Sequence, residues 1–479
     1  MPELIWNGKY DADGARHRPT LLTTTLRSVE SGGFPPTEGG TVCDDAANQL
    51  ILGETQWVLP ALRADLAGQV SFIYIDPPFA TGLDFTSNVL LPGATRPLTR
   101  TAYRDTWADL DSYLRWMDET LTLLRDLLAN DGALLLHCDW RTEGALRLLL
   151  DDIFGAENFR NAIVWSYRSG GASRREALAR KHDTILLYAM SPRFRIRPQT
   201  ERQYLSKPFM GSRRDVSGRY YVDTLLRDVL EGEITCVDVD DETLMRYNVR
   251  PVLNLSRERL DYPTQKPLGL LRLLLTLASD PGNIVLDCCC GSGATALAAE
   301  ELGRRWIAAD ASPLAIQTTR RRLLSLAAPR PFVVQRPSPP TPSPEEGGGH
   351  DLYGHADGDG FSEPTEVGAH LLLTIEQDGA AVTLRLVGYA PPLSSALPSR
   401  EGESSSGLRL LDSWSVDWAY DGEIFRHCAH ASRTRTGSQA LATALTHTYT
   451  TPGVYTIAIH AVDLATHETV QTVSVTVAV

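Results

Sequence analysis

The sequence predicts an α/β fold built on a mostly parallel sheet, interrupted by an irregular insertion and followed by an all-β sandwich. Buried strand-like runs alternate with amphipathic helical runs in two blocks, 46–166 and 261–328. Between them, residues 167–260 are arginine-rich and keep no steady period. Residues 366–479 then change to period-2, β-branched runs separated by turn residues. At 479 residues and 43% hydrophobic content, the chain is long enough to build more than one core.

Taken in order, residues 1–45 read as a polar N-terminal extension with Gly32-Gly33 and Pro35-Pro36, and a short helix is expected at 21–29. From Leu50 the pattern changes. LILGE is a short strand, WVLPALRADL a helix, and FIYIDPPF a buried strand that ends in a proline turn. A helix follows at 111–128, with Leu114, Met117, Leu121, Leu124 and Leu128 on one stripe, and then the strand ALLLHCD at 133–139. The second block runs as a helix through LGLLRLLLTLAS, the strand NIVLDCC, the turn CGSGA, a helix to Leu302, the strand WIAAD and a basic helix. Residues 329–365, with RPSPPTPSPEEGGGHD, have the composition of a linker, because such residues cannot pack a core. Beyond it, HLLLTIEQ, VTLRLVGY, SWSVDWAY, GVYTIAIHAVD and VQTVSVTVAV are the strands expected of a sandwich.

No apolar run approaches the roughly 18 residues a membrane span requires, and the opening MPELIWNGKYDADG lacks a charged-then-apolar pattern, so a cytoplasmic protein is expected. Seven cysteines, at 43, 138, 236, 288, 289, 290 and 428, show neither zinc spacing nor a disulfide framework. A net charge of −13 argues against indiscriminate coating of nucleic acid. Locally the balance reverses: residues 160–219 hold fourteen Lys or Arg against four Asp or Glu, a candidate footprint for phosphates. A solvated basic face is the plainer reading of the same residues.

Two motifs carry chemistry. Val285-Leu286-Asp287-Cys288-Cys289-Cys290-Gly291-Ser292-Gly293 ends a buried strand in a glycine turn that opens a helix, which lets the backbone approach a ligand closely. About twenty residues on, the strand WIAAD ends in Asp310, placed to bond ribose hydroxyls at the edge of an α/β sheet. Together they describe a Rossmann-like site for an adenosine cofactor, where a glycine turn alone would equally serve structure. The second motif, Asp76-Pro77-Pro78-Phe79, follows the strand 72–75. Its prolines fix an extended turn, so a carboxylate, a main-chain carbonyl and an aromatic face converge on one spot. Such a spot suits a planar amine whose lone pair is delocalised into a ring. Acceptors on Asp76 and the Pro77 carbonyl would draw the amine hydrogens out of plane and free that lone pair to attack a methyl sulfonium. Phe79 would stack on a base flipped from the duplex. A capping Asp beside a core Phe is the structural alternative.

These residues resemble the β-class amino-methyltransferases of DNA, in which DPP(F/Y) precedes the target-recognition region and the cofactor motif follows it. IYIDPPFATG, ENFRNAIVWSYRSGG, RKHDTILLYA, YPTQKP and LGRRWIAAD, in that order, are most similar to the modification subunits of type III restriction systems and their solitary relatives. The resemblance covers residues 48–328. It implies a methyltransferase fold dependent on S-adenosyl-L-methionine, a target-recognition region at 167–260, and methylation of the adenine amino group in double-stranded DNA. It implies that Asp76, Pro77, Pro78 and Phe79 hold the target base, and that Asp287, Cys289, Gly291, Ser292 and Gly293 line the methionine side of the cofactor. Asp310 would take the ribose, Thr264, Gln265, Lys266 and Pro267 would help close the cofactor pocket, and Glu54 would lie near the adenine moiety.

The chain departs from the family's DP(F/C)xGxGT: Cys288-Cys289-Cys290 replace the proline and the bulky aromatic, and Ala294 stands between Gly293 and Thr295. Adjacent cysteines in a strand face opposite ways and no His or Cys partner lies nearby, so no metal site is expected. Arg168, Arg174, Arg175 and Lys181, with Arg180 and His182 beside them, are the candidate DNA contacts. His182-Asp183 invites reading as a catalytic dyad, but a freed lone pair needs no strong base, and a buried structural histidine is expected there. SVDWAYDGEIF and HTYTTPGVYTIAIHAVD resemble a PKD- or immunoglobulin-like module, with Trp414, Trp418, Tyr449 and Tyr455 in its core. A restriction (helicase-nuclease) subunit and a second copy of the chain are the protein partners the resemblance allows. Methylation of the cytosine amino group is the nearest alternative, since the same pocket logic serves both. A catalytically idle DNA-binding subunit and a methyltransferase for RNA or protein are the others.

Overall fold

The computed structural model describes residues 3–19, 24–33, 47–89, 97–168, 178–240, 242–253, 256–260, 262–338, 369–392, 407–433 and 441–478. Its first strands are Leu26–Gly32 (β1), Asn48–Leu52 (β2), Val70–Ile75 (β3), the hairpin Leu83–Val89 (β4) and Leu98–Asp105 (β5), then Leu128–Cys138 (β6), Phe159–Ser166 (β7) and His182–Ala189 (β8). Among these lie the helices Thr55–Leu66 (α1), Leu110–Leu127 (α2) and Glu143–Phe154 (α3). An insertion supplies Gln199–Leu205 (β9), Arg213–Arg214 (β10), Tyr220–Leu225 (β11), Val229–Glu231 (β12), Glu233–Asp238 (β13) and Leu244–Asn248 (β14). Leu268–Ala278 (α4), Ile284–Asp287 (β15), Ala294–Glu301 (α5), Arg305–Asp310 (β16), Pro313–Leu324 (α6) and Phe332–Pro337 (β17) complete the α/β part. The C-terminal part holds His370–Asp378 (β18), Ala381–Ala390 (β19), Leu411–Asp417 (β20), Phe425–Arg426 (β21), Ala429–Ser432 (β22), Ala444–Thr448 (β23), Gly453–Asp463 (β24) and Glu468–Val477 (β25).

The central sheet has the order β12-β7-β8-β6-β3-β15-β16-β2-β17-β1-β21, and from β6 to β17 every neighbouring pair is parallel. Antiparallel pairing is confined to β8 with its neighbours β6 and β7, and to β1 with β17. Side chains alternate between two cores. Phe72 and Tyr74 pack with α4, α5 and α6, whereas Ile73 and Ile75 pack with α1, α2 and α3. Covered on both faces, β3 reads as an apolar run from Phe72 to Ile75. Helix α2 shows how locally such an element is encoded: Asp109 accepts the Ser112 N–H at 2.7 Å as its N-cap, and the stripe Leu114, Met117, Leu121 and Leu124 is buried. Each of those side chains contributes roughly 1.5–3 kcal/mol by leaving water.

The structure corrects four expectations. The helix expected at 21–29 is, in its described residues, the start of β1, since β-branched Thr24, Thr25 and Val29 favour an extended chain and β17 supplies the partner backbone. The extension is also not peripheral: Trp6 and Lys9 are buried, and the Lys9 Nζ bonds Glu3 at 2.8 Å and Asp152 of α3 at 2.9 Å. The linker expected from 329 does not begin there, because β17 is an inner strand between β2 and β1; residues 339–368 lie outside those described. The insertion expected from 167 likewise starts late: β8 belongs to the central sheet, and only β9, β10, β11, β13 and β14 form a separate five-stranded sheet.

The C-terminal strands form two sheets, β18-β19-β23 and β22-β20-β24-β25, that share one core containing Trp414, Trp418 and Tyr449, with Tyr455 packed at its edge. The part is not tethered at a distance: β21 pairs in parallel with β1 and so extends the central sheet. At this junction Glu30, His427 and His460 bring ligand-capable atoms within 4.8 Å of one another. Arg320 already supplies the positive charge, with its Nη1 2.6 and 2.7 Å from the two Glu30 oxygens. The cluster is therefore a buried ion network. Among the described residues no helix is long and apolar enough to cross a membrane.

Candidate active site

Parallel order places three carboxylates side by side. Adjacent strands β3, β15 and β16 end at or just before Asp76, Asp287 and Asp310, so all three stand at the carboxyl edge of the sheet, where open α/β folds bind ligands. They line a cavity of about 800 Å³ together with Glu54, Pro77, Pro78, Phe79, Thr264, Gln265, Lys266, Cys289, Gly291 and Ser292. Thirteen of the fifteen residues expected at the two motifs thus meet in one place. Pro267 is instead the N-cap of α4, and Gly293 the N-cap of α5.

On one side stands the Asp76 loop. Its two prolines bring no N–H, and the next amides have a common acceptor: Phe79, Ala80 and Thr81 donate to Asp105 at 3.2, 2.9 and 2.9 Å. The Thr81 hydroxyl and the Trp107 indole add two more donors at 2.6 and 3.2 Å. Asp105, at the end of β5 and buried, thereby fixes the loop; sequence reasoning missed it, since a lone Asp after a polar strand gives no signal. The Asp76 Oδ2 accepts from the Lys266 Nζ at 2.5 Å, while its Oδ1 is buried with no hydrogen-bond partner among the described residues. A buried acceptor left unmet costs roughly 1–3 kcal/mol, so such an atom is commonly reserved for a ligand's donor. Lys266 therefore serves the Asp76 side of the cavity, and its Nζ also lies 5.5 Å from the Phe79 ring centre.

The Phe79 ring stacks on His137, with centroids 5.8 Å apart and planes at 27°. His137 is fully buried and held at both nitrogens, by the Tyr74 hydroxyl at 2.8 Å and by Asp183 at 3.2 Å. The Tyr167 hydroxyl donates to the other Asp183 oxygen at 3.0 Å. Burial works to raise the Asp183 carboxyl, but the bond and charge of His137 hold it below its usual value. The buried structural histidine is thus His137, and His182, at the exposed start of β8, is not. Period-2 patterning alone would have turned His137 inward, as the strand ALLLHCD alternates.

On the other side stands the glycine turn. Gly291 has φ +49 and donates to the Asp310 Oδ2 at 2.8 Å, while Ser312 N–H meets the Oδ1 at 2.8 Å. Gly293 has φ +75, and a Cβ there would fall 2.4 Å from the Thr319 hydroxyl, so only glycine fits. Asp287 is likewise engaged, by the Thr295 hydroxyl at 2.5 Å and the Cys289 N–H at 3.1 Å. Burial pushes Asp287 up to about 7 against those bonds, and Asp310 up to about 6. Burial and the neighbouring carboxylates hold the Cys290 thiol well above its usual value, so it stays protonated. Gln265 accepts from Leu260 N–H and donates to the Glu258 carbonyl, both at 2.8 Å, which closes the loop that carries Thr264 and Lys266.

The candidate DNA contacts do not form one cluster. Arg174 and Arg175 lie outside the described residues, Arg168 is exposed and bonds Glu231 at 2.8 Å, and Lys181 is half-buried outside the cavity. Part of the local basic excess is internally matched, as in Arg202 with Asp223 and Arg219 with Asp215. The five-stranded sheet instead carries arginines over tyrosines: Arg202 lies 3.9 Å from the Tyr221 ring, Arg219 4.1 Å from Tyr204 and Arg214 4.5 Å from Tyr220.

Residues 70–321, more than half of the chain, match the model of a family described as DNA methylase. The type II methyltransferase M.EcaI of Enterobacter cloacae is 28% identical over 331 residues, covering 59% of this chain and 70% of that protein. The probable type III restriction-modification enzyme HindVI Mod subunit of Haemophilus influenzae is 32% identical over 128 residues, covering 27% of this chain but 15% of that subunit. The DNA adenine methyltransferase YhdJ of Escherichia coli is 24% identical over 302 residues, covering 61% of this chain and 86% of that protein. Among solved structures, PvuII DNA methyltransferase (cytosine-N4-specific) aligns with a TM-score of 0.38 and 15% identity, over 59% of this chain and 88% of that one.

Proposed function

This chain belongs to the DNA methylase family, and we propose that it transfers a methyl group from S-adenosyl-L-methionine to the exocyclic amine of adenine within a specific sequence of double-stranded DNA. The observation that carries the reading is the buried, unpaired Oδ1 of Asp76, set beside the Phe79 ring in a cavity that also holds a glycine turn and two further carboxylates.

The residues fit the cofactor by their chemistry. Asp310 keeps lone pairs on both oxygens for ribose hydroxyls, Gly291 and Ser292 line the cavity with little bulk, and the carboxylates favour a cationic ligand. When bound, the sulfonium supplies an electrophilic methyl group. Asp76 accepts a hydrogen bond from the target amine at Oδ1, which localises the nitrogen lone pair for in-line attack. Lys266 orients Asp76 through the bond to Oδ2, and Phe79, backed by His137, offers the face on which the flipped base stacks. Asp76 Oδ1 would take up the proton that the amine must lose once it carries the methyl group.

The five-stranded sheet with its Arg–Tyr pairs is the part we assign to reading sequence, with Arg168 and Lys181 on the phosphates. A restriction-modification setting follows from the relatives, with a restriction subunit as partner and the cytoplasm as location. The C-terminal sandwich is of PKD- or immunoglobulin-like kind. The test is methylation of duplex DNA with methyl-labelled cofactor, followed by digestion to nucleosides and mass spectrometry. N6-methyldeoxyadenosine is expected. N4-methyldeoxycytidine would move the specificity to cytosine, and no modified base would overturn the reading.

A further inference from the structure

Among the described residues the hairpin β4–β5 is paired with no other strand, and a two-stranded hairpin is marginal on its own. It nevertheless forms a wall of the cavity. Phe85, Thr101, Tyr103 and Asp105 line it, Asp105 holds the Asp-Pro-Pro-Phe loop, and the Tyr103 hydroxyl meets the Thr264 hydroxyl at 3.1 Å. The far end of the hairpin leaves the cavity altogether. Val89 and Leu98 pack against the core of the C-terminal sandwich, and the Arg100 Nη1 donates to the Leu464 carbonyl at 3.0 Å.

The sandwich is itself fixed to the α/β part at a different place. Besides the β21–β1 pairing, Gln317 and Arg321 of α6 bond Asp412 at 2.8 and 3.0 Å, and Arg320 bridges Glu30 and Glu468 at 2.6 and 3.3 Å. A rigid body anchored at one end and gripping a marginal hairpin at the other has a mechanical consequence. We propose that the C-terminal β domain is a strut that presets the target-base pocket: anchored on β1 and α6, it holds β4–β5 in place, and through Asp105 the Asp76 loop. The domain lies beyond the matched family region, which ends at residue 321, so membership of the family does not account for it. The proposal rests on the reading of the Asp76 pocket as the target-base site.

The test uses the full chain with Arg100→Met, which removes the bond to Leu464, and with Val89→Ser combined with Leu98→Ser, which weakens the apolar grip. Hydrogen–deuterium exchange across 98–105 should speed up at least about tenfold, cofactor affinity should stay within about twofold, and kcat/KM on duplex DNA should fall about tenfold or more. A duplex with 2-aminopurine at the target position should lose fluorescence on the variants, reporting a base held out less often. Ser substitutions at the exposed Leu372 and Ile375, elsewhere on the sandwich, should change none of these. Unchanged exchange across 98–105 would overturn the strut, and should the apolar pair fail to fold, Arg100→Met alone decides. Faster exchange in a protein whose unaltered form methylates no duplex would leave the strut standing and overturn the pocket assignment.

Discussion

The two sides of the cavity use the same device, a carboxylate at the end of a buried parallel strand, and leave it in opposite states. Asp287 and Asp310 have all four oxygens engaged by the chain's own N–H and O–H groups. Asp76 has one oxygen on Lys266 and the other buried with no partner. The difference separates their tasks. The glycine-turn side, proposed for the cofactor, completes its own hydrogen bonds, whereas the Asp76 side, proposed for the base, keeps a buried acceptor open to a ligand's donor. Preorganisation is thus bought from local turns on one side and from distant contacts, Asp105 and Lys266, on the other.

Lys266→Met sharpens the contrast most. It strips Asp76 of the hydrogen-bond partner it has among the described residues, so single-turnover methyl transfer should fall roughly a hundredfold, while cofactor affinity, measured calorimetrically, should barely move. An equal loss of affinity would return Lys266 to the cofactor side. Gly293→Ala should act in reverse: its new methyl group meets Thr319 at a left-handed backbone position, costing about 1–3 kcal/mol in thermal unfolding and weakening the cofactor before the DNA. The smallest effect concerns pH. If Asp310 holds the ribose as proposed, it does so best when ionised; with its carboxyl pushed up to about 6, affinity should rise between pH 5 and 7.5, by less than about tenfold. Asp310→Asn should flatten the lower part of that rise and leave the part near 7 that belongs to Asp287.

What the sequence revealed follows the same division. The glycine turn, Asp310 and Asp-Pro-Pro-Phe are legible because each sits where an apolar run meets residues that only a tight turn requires. Helix α2 is legible from its cap and stripe. Asp105 and His137 are not, because the loop amides that Asp105 holds lie 24 to 26 residues away and the partners of His137 46 to 63. Strands β1, β17 and β21 were missed as sheet members for the same reason: their local pattern is weak, and register with one another makes them strands. The linker composition at 329–365 hid β17 in its first residues, and the rest of that stretch lies outside the described residues.

The most direct measurement is single-molecule sequencing of DNA from a methylation-free host expressing this chain or its Asp76→Ala form. The account predicts a modified adenine at a fixed motif with the unaltered chain, and none with Asp76→Ala although the variant still binds S-adenosylmethionine. The same modification at full occupancy in the variant would contradict it.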